Sequence, residues 1–159
     1  MNWIGEFKKK DSEKEIIPNY AGTHIEVDEM YSFIKTKSNK AWIWVAIDKY
    51  TGLIVAHKTG DRSEETLKEL LKEIPNKIVN KCIFYTDKWK AYNILPKDRH
   101  VVGKKYTRRV ERVFLTFRSS YARLVRRSIR YSKSKEIHNI ILDLLVYFYN
   151  EKIMSNYEK

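Results

Sequence analysis

The sequence from residue 23 to residue 58 reads THIEVDEMYSFIKTKSNKAWIWVAIDKYTGLIVAHK, and this stretch decides the fold. Apolar and polar side chains alternate over residues 23–30, which indicates a first β-strand. Residues 41–48 are rich in β-branched and aromatic side chains and predict a second strand. The segment DKYTG at 48–52 is typical of a hairpin turn, and residues 53–58 then form a third strand. We therefore expect three consecutive antiparallel strands.

The elements after this hairpin alternate between helix and strand. Ser63, followed by two glutamates, is typical of a helix start, and Pro75 ends that helix. The run CIFY at 82–85 predicts a short buried strand, residues 89–95 predict a short helix, and residues 100–102 predict a fifth strand. The chain is thus expected to return to the sheet twice after its three-stranded start.

Two longer helices complete the predicted fold. The apolar side chains that recur at helical spacing in the first of them are Val110, Phe114, Phe117, Tyr121, Leu124 and Val125. The last helix covers about residues 134–149. The order is then three antiparallel strands, helix, strand, helix, strand, helix, which is the order of the ribonuclease H-like fold. We predict an α/β protein with a mixed five-stranded sheet flanked by helices.

The chain of 159 residues divides into one domain and two short flanks. Residues 1–22 are charged and form a loose N-terminal lead-in. Residues 23–150 are expected to form the ribonuclease H-like domain, which the residues discussed below predict to be catalytic, and residues 151–159 a C-terminal tail. A hydrophobic content of 43% provides enough apolar side chains for a real core and excludes a disordered polyelectrolyte.

The net charge of +12 predicts a polyanionic partner, with nucleic acid as the first candidate and an anionic membrane surface as the second. No apolar run approaches the roughly 18 residues of a membrane span. A membrane-surface role ranks last, because the basic helix has a broad aromatic core face and not a free apolar one, so no membrane partner is expected. The N-terminus has no signal-peptide pattern, and Cys82 is the only cysteine, which excludes an intrachain disulfide and a zinc ribbon. We expect a reducing, cytoplasmic location associated with the nucleoid.

One stretch concentrates the positive charge and contains a single acid. Between Arg99 and Lys135 the only acidic residue is Glu111. The residues that we predict to bind DNA are Lys104, Lys105, Arg108, Arg109, Arg112, Arg118, Arg123, Arg126, Arg127, Arg130 and Lys133. A lone carboxylate weakens anion binding, so its presence there indicates that it holds a metal ion against phosphate.

The predicted fold brings this glutamate to two aspartates. In the ribonuclease H-like order the first and fourth strands are neighbours, which places Asp28 beside Asp87, and the helix after the fifth strand adds Glu111. Two Mg²⁺ or Mn²⁺ ions about 3.5–4 Å apart can stabilise both oxygens of a phosphoryl displacement. Such ions prefer oxygen ligands. We predict these three residues as both the catalytic acids and the metal ligands.

Short motifs make the prediction specific. They are HIEVDEM at 24–30, TDKW at 86–89 with Tyr92, KYTRRVER at 105–112, RLVRRS at 123–128 and YSKS at 131–134. In order and spacing they resemble the catalytic open reading frame of the insertion-sequence-one transposases, a DDE transposase family, over about residues 24–150. The resemblance implies a divalent-metal-dependent polynucleotidyl transferase that cleaves and transfers DNA strands at insertion-sequence ends. It also implies catalytic acids at Asp28, Asp87 and Glu111, two Mg²⁺ or Mn²⁺ ions, and a homo-oligomer on DNA.

Two positions and one region depart from the family pattern. Lys88 stands where glycine is common after the aspartate, and Phe114 stands where many members have asparagine. Family members usually begin with a zinc-finger and helix-turn-helix region, for which too few residues precede Asp28. Either an upstream segment is supplied by fusion, or the chain is a catalytically inactive, truncated relic that binds nucleic acid by charge.

Each acid also has a simpler interpretation. Asp28 could be a polar residue on a solvent-facing strand, Asp87 could cap a helix, and Glu111 could pair with a neighbouring arginine on its own helix. Glu26 and Glu29 are interpreted as supporting or surface charges. Asp48 is interpreted as a residue of the hairpin turn rather than of the site.

Overall fold

A computed structural model describes residues 23–121, 124 and 131–157. The five strands are β1 (His24–Phe33), β2 (Lys40–Asp48), β3 (Ile54–Gly60), β4 (Ile83–Thr86) and β5 (His100–Val102). The helices are α1 (Glu64–Glu73), α2 (Asn76–Val79), α3 (Arg108–Ser120) and α4 (Lys135–Tyr157). Short 3₁₀ helices cover Lys90–Ile94, Lys97–Arg99 and Lys104–Tyr106.

The strands form one mixed sheet in the order β3-β2-β1-β4-β5. The first three strands pair antiparallel, whereas β4 is parallel to both β1 and β5. The predicted ribonuclease H-like fold is therefore confirmed, including the neighbouring positions of the first and fourth strands. In this register Glu26 lies opposite Tyr85 of β4, and Asp28 lies opposite Val45 of β2.

Each face of the sheet has its own hydrophobic core. On one face Leu67 and Leu70 of α1 pack with Val27 of β1. On the other face Phe117 of α3 packs with Met30 of β1, together with residues of β2 and α4. Because side chains alternate along a strand, Glu26 and Asp28 point to the α3 face and Glu29 points to the α1 face.

Helix boundaries differ from the sequence prediction at two places. Helix α3 ends at Ser120 because Tyr121 adopts an extended conformation, with φ −134° and ψ 103°. Leu124 is still buried, at 4% exposure, while Val125 lies outside the described residues. The predicted tail is also helical over residues 151–157, since α4 continues to Tyr157.

Helix α4 is tied to the strand at the edge of the sheet. The Asn150 side-chain amide donates to the Ile54 carbonyl and accepts from the Ile54 N–H, each at 2.9 Å. The Tyr157 hydroxyl donates to the carbonyl of Thr51 at 2.9 Å. These contacts explain why helix α4 continues beyond residue 149, where its apolar pattern ends. In the described part of the chain, no helix has the length and apolar character needed to cross a bilayer.

Candidate active site

Asp28 lies on β1 and faces the N-terminal end of α3. Its Oδ1 accepts a hydrogen bond from the Glu29 N–H at 2.8 Å. The pKa of Asp28 is raised from 3.8 to about 7, chiefly by burial and then by the charges of Glu29, Asp87 and Glu111, while the backbone hydrogen bond lowers it. The side chain is therefore not an ordinary solvent-facing strand residue. A raised carboxylate pKa of this kind is typical of functional sites.

Asp87 follows β4 directly, at the end of the strand that runs parallel to β1. Its Oδ1 accepts from the Trp89 N–H at 2.8 Å and so holds the turn that leads into the next 3₁₀ helix. Asp87 therefore stabilises a turn and does not cap a helix, since the 3₁₀ helix has Trp89 at its N-cap position and no side-chain cap. This hydrogen bond uses only one carboxylate oxygen. Among the described residues, the second oxygen accepts no hydrogen bond, so it remains open to a ligand.

Glu111 lies in the first turn of α3 and is half-buried. Its alternative pairing with Arg108 or Arg112 does not form, and no described residue donates a hydrogen bond to its carboxylate. The two arginines are exposed instead. The position of the Glu111 side chain is therefore determined by helix α3 and not by an ion pair.

The three predicted acids interact electrostatically, but their side chains do not converge into a group that could hold a metal ion. Both Asp87 and Glu111 lie near enough to Asp28 to raise its pKa by repulsion. Within the part of the chain that the structure describes, however, no three His, Cys, Asp or Glu side chains are grouped closely enough to hold a metal ion. The ligand role of Asp28, Asp87 and Glu111 accordingly stays a prediction.

Glu26 positions the helix that carries Glu111. Helix α3 has no side-chain cap of its own, because Thr107 makes no capping hydrogen bond. Glu26, 1% exposed, replaces it: Oε2 accepts from the N–H groups of Arg109 at 2.9 Å and Val110 at 3.1 Å. Its other oxygen forms an ion pair with Lys49 at 2.8 Å. A carboxylate at a helix N-terminus also interacts favourably with the helix dipole.

Glu29 performs a corresponding task on the opposite face of the sheet. It forms an ion pair with Arg62 at 2.6 Å and accepts from the Tyr92 hydroxyl at 2.5 Å. The Arg62 guanidinium lies 3.9 Å from the ring centroid of Trp89, two residues after Asp87. Burial raises the pKa of Glu29 despite these partners, whose hydrogen bonds lower it. This network links β1 to the turn that contains Asp87.

Sequence reasoning named Glu26 and Glu29 as supporting charges but could not assign what they support. The missing information is three-dimensional, since Glu26 contacts residues more than 80 positions away. Arg62 was not singled out at all. The one feature that could have indicated this role is the presence of two glutamates in a strand whose other residues are mostly buried on both faces of the sheet.

The interpretation of Asp48 as a turn residue is confirmed. The side chain is fully buried, and its Oδ1 accepts from the N–H groups of Tyr50 and Thr51 and from the Thr51 hydroxyl. Asp48 pairs with Ile25 on β1, three residues before Asp28. Its oxygen is thus occupied by the hairpin that it stabilises.

Seven of the predicted DNA-binding residues lie in the described part of the chain. Those with exposed side chains are Lys104, Lys105, Arg108, Arg109, Arg112 and Lys133, whereas Arg118 is half-buried. The remaining predictions lie outside the described residues, at Arg123, Arg126, Arg127 and Arg130. Two arginines in the first turn of α3 oppose the helix dipole, a cost that an anionic partner would offset.

The two departures from the family motifs have structural explanations. Lys88 is exposed and does not adopt a positive φ, so its position does not require glycine. Phe114 is 6% exposed and belongs to the core between α3 and the sheet. Neither residue displaces Asp87 or Glu111 from its element.

The sheet order and the helix packed behind β1 define a ribonuclease H-like protein. Two solved structures are similar in fold over most of the chain. The HTLV-2 integrase catalytic core domain in complex with magnesium is 15% identical, covers 83% of this chain and 87% of its own, and has a TM-score of 0.49. The catalytic core domain of BIV integrase is 11% identical, with coverages of 79% and 82% and a TM-score of 0.46.

The family follows from sequence comparison. The family model described as IS1 transposase matches residues 23–154. The insertion element iso-IS1n protein InsB of Shigella dysenteriae is 37% identical over 122 residues, which are 76% of this chain and 92% of the relative. The insertion element IS1 protein InsB of Shigella flexneri is 36% identical over 118 residues, or 74% and 88% of the two chains. The chain therefore belongs to the IS1 transposase family.

Proposed function

We propose that the chain is the catalytic domain of a transposase that cleaves and joins DNA strands at insertion-sequence ends with divalent metal ions. The observation that carries the proposal is the position of Asp28 next to the first turn of a basic helix, where burial and the charge of Glu29 raise its pKa and the nearby charges of Asp87 and Glu111 add to this effect. Carboxylates that repel one another in a half-buried position favour binding of a cation. Exposed arginines on the same helix turn favour binding of a phosphate.

The residues fit a hard divalent ion in their chemistry. Asp28 and Asp87 each use one oxygen for a backbone hydrogen bond, and among the described residues the other oxygens are unpaired. Asp28, Asp87 and Glu111 would hold Mg²⁺ or Mn²⁺, in our proposal as a pair of ions. When bound, such ions stabilise the attacking and leaving oxygens of an in-line phosphoryl displacement. The side chains must turn toward a common point, because they form no ready-made set.

The protein's remaining residues hold the reacting groups in place. Glu26 fixes the start of α3 and with it Glu111, and Arg62 links Glu29 to the turn of Asp87. Arg108 and Arg112 would bind the DNA backbone beside the acids. The proposed reactions are hydrolysis, in which water displaces a 3′-oxygen from phosphorus and leaves a free 3′-hydroxyl, followed by attack of that hydroxyl on a target phosphodiester, which releases a 3′-hydroxyl end of the target strand. Both reactions use the same position for the scissile phosphate.

The partners follow from this function. We propose that the chain acts on transposon ends and target DNA as a homo-oligomer, in the cytoplasm and associated with the nucleoid. Recognition of the ends would come from an upstream zinc-finger and helix-turn-helix segment supplied by fusion. The competing hypothesis is a catalytically inactive relic that binds DNA by charge alone.

A reconstituted cleavage assay separates these hypotheses. Fused to the recognition segment and supplied with its own element's ends, the chain should nick or join DNA when Mg²⁺ or Mn²⁺ is added. EDTA should abolish the products, because the carboxylates alone cannot stabilise the developing charge. The measurement is the appearance of cleaved and joined strands on a denaturing gel. Absence of products with either ion would establish the relic.

DNA binding by α3 can be tested separately from catalysis. The double variant Arg108→Gln/Arg112→Gln should bind duplex DNA more weakly and with a flatter dependence on salt. Each lost phosphate contact lowers the slope of log K against log salt by about 0.9, so the pair should lower it by about 1.8. Fluorescence anisotropy between low and moderate salt measures this slope.

The matched control removes two lysines from the opposite face of the sheet. Lys68 and Lys72 are exposed on α1, which packs on the face away from α3. The Lys68→Gln/Lys72→Gln variant loses the same formal charge and should keep the parent's slope. Equal slopes for all three proteins would remove α3 from the DNA interface.

A further inference from the structure

An open cavity of about 520 Å³ lies at the far end of the sheet from the hairpin turn of Asp48. It is bounded by the end of β1, the start of β2, the end of β3 and the first turn of α4. Three exposed lysines line it, namely Lys35, Lys40 and Lys135. Among the described residues none of these ammonium groups forms an ion pair. A cavity with three such cations is suited to an anion.

Backbone contacts bring these lysines together from distant parts of the sequence. Ile34 forms a parallel bridge with Ser132, and the Lys35 N–H donates to the Ser132 carbonyl at 2.8 Å. The chain then enters α4 through Ser134, whose Oγ accepts from the Ile137 N–H at 3.2 Å. Helix α4 has 23 residues, so its first turn adds a partial positive charge to the cavity.

A buried hydroxyl with no partner provides an independent indication of a ligand. Thr59 lines the cavity and is 8% exposed. Its Oγ1 has no hydrogen-bond partner among the described residues. Thr59 pairs with Ile43 of β2, whose side chain belongs to the core on the α4 face, so the hydroxyl points to that side. Burial of a hydroxyl without a partner is unfavourable, and a hydrogen bond to a ligand oxygen would remove this cost.

One acidic residue lines the cavity and reduces its net positive charge without removing it. Asp61 is exposed at the end of β3 and is the single carboxylate among the lining residues. It accepts a hydrogen bond from the Thr66 hydroxyl at 2.6 Å and another from the Ser63 hydroxyl, which lower its pKa. The three lysines therefore outnumber one ionised carboxylate, whose charge is already solvated by two hydroxyl donors.

We propose that this cavity binds a backbone phosphate of the nucleic acid, at a position distinct from the scissile phosphate. The identity of the ligand rests on the proposed function, while the cavity and its charges do not. Ile34, directly after β1, lies six positions along the chain from Asp28, which corresponds to about 20 Å at 3.3 Å per residue. With about 3.4 Å per nucleotide along each strand, the bound phosphate lies roughly six nucleotides from the reacting one.

The salt dependence of DNA binding tests the site directly. The variant Lys35→Gln/Lys40→Gln should bind a 30-base-pair duplex more weakly, with the slope of log K against log salt lowered by about 0.9 to 1.8 for one or two lost contacts. The control Lys68→Gln/Lys72→Gln should retain the parent's slope. A cavity variant whose slope equals that of the parent and the control would overturn the proposal.

A second variant addresses the hydroxyl without changing charge. Thr59→Val has a similar shape and should weaken duplex binding by about tenfold, as expected for one hydrogen bond to a charged group. Because the hydroxyl has no protein partner and its burial is unfavourable, the variant should have a melting temperature equal to or above that of the parent. Unchanged DNA binding in this variant would exclude Thr59 from the site.

Two further comparisons distinguish free phosphate from nucleic acid as the ligand, and distinguish the cavity proposal from the proposed α3 interface. The first comparison measures the melting temperature with millimolar inorganic phosphate and the slope of log K against log salt for DNA. If phosphate raises the melting temperature of the parent but not of Lys35→Gln/Lys40→Gln, and the two proteins have equal slopes, the cavity binds free phosphate. That result would overturn the nucleic-acid assignment. If Arg108→Gln/Arg112→Gln lowers the slope while the cavity variant does not, the α3 interface stands and the cavity proposal fails alone. Lower slopes for both variants support both sites.

Discussion

Conversion of any one of the three acids to its amide is expected to reduce strand cleavage by more than about a hundredfold, since even outer-shell partners of metals change activity by about 10–100-fold. The variants are Asp28→Asn, Asp87→Asn and Glu111→Gln. Each keeps the size of the side chain but removes the negative charge that would hold a divalent ion. DNA affinity should stay within about twofold, because in both proposals the phosphates are bound by cationic side chains and not by these acids. Cleavage and anisotropy assays on the same preparations measure both quantities.

Two aspartates outside the predicted site serve as controls. Asp98, whose side chain is 80% exposed, lies in the 3₁₀ helix before β5, and Asp98→Asn should cleave like the parent. Asp48→Asn retains an oxygen that can accept the hydrogen bonds of the hairpin, so it should also stay largely active. Parental cleavage by all three amide variants of the site would contradict the metal-site assignment.

The second large effect concerns stability and its dependence on pH. Burial, with added repulsion from neighbouring carboxylates, raises the pKa of Asp28 in the folded protein from 3.8 to about 7. The folded state therefore keeps a proton that the unfolded chain has already released between pH 4 and pH 7. The free energy of unfolding falls as pH rises through this window, and the full penalty persists above pH 7. Three pKa units correspond to about 4 kcal/mol.

Asp28→Asn removes this penalty and should stabilise the protein at pH 8. We expect its free energy of unfolding to exceed the parent's by on the order of 3 kcal/mol at pH 8, and to match it below pH 4. Urea denaturation with EDTA at several pH values measures the difference, with Asp98→Asn as the control. Divalent ions at pH 8 should stabilise the parent more than the variant. A difference that does not change with pH would show that Asp28 is not the titrating group.

The sheet was predictable from sequence because its strands carry strong local signals. Alternation in β1, the β-rich run of β2 and the Asp48 turn each indicate their element without reference to the rest of the chain. Ser63 likewise marks the start of α1, where its Oγ accepts from the Thr66 N–H. Strand order followed from the succession of elements, which is compatible with few sheet topologies.

The helix ends and the supporting residues could not be predicted in the same way. The apolar pattern of α3 continues to Leu124, but a side chain can reach the core from beyond the end of an α-helix, as Leu124 does after α3 has ended at Ser120. The extension of α4 depends on contacts made by Asn150 and Tyr157 with β3 and the preceding hairpin. Such contacts join residues about 100 positions apart, so no local pattern reports them.

The capping of α3 by Glu26 has a consequence for how this protein can be divided. The cap and the helix are separated by 83 residues in sequence, and the first turn of the helix carries two arginines that disfavour it in isolation. A fragment containing only the basic segment would lose its cap together with the sheet that it packs on. The proposed DNA-binding surface on α3 therefore depends on the first strand, and we expect that the basic segment cannot be transferred to another protein as an independent module.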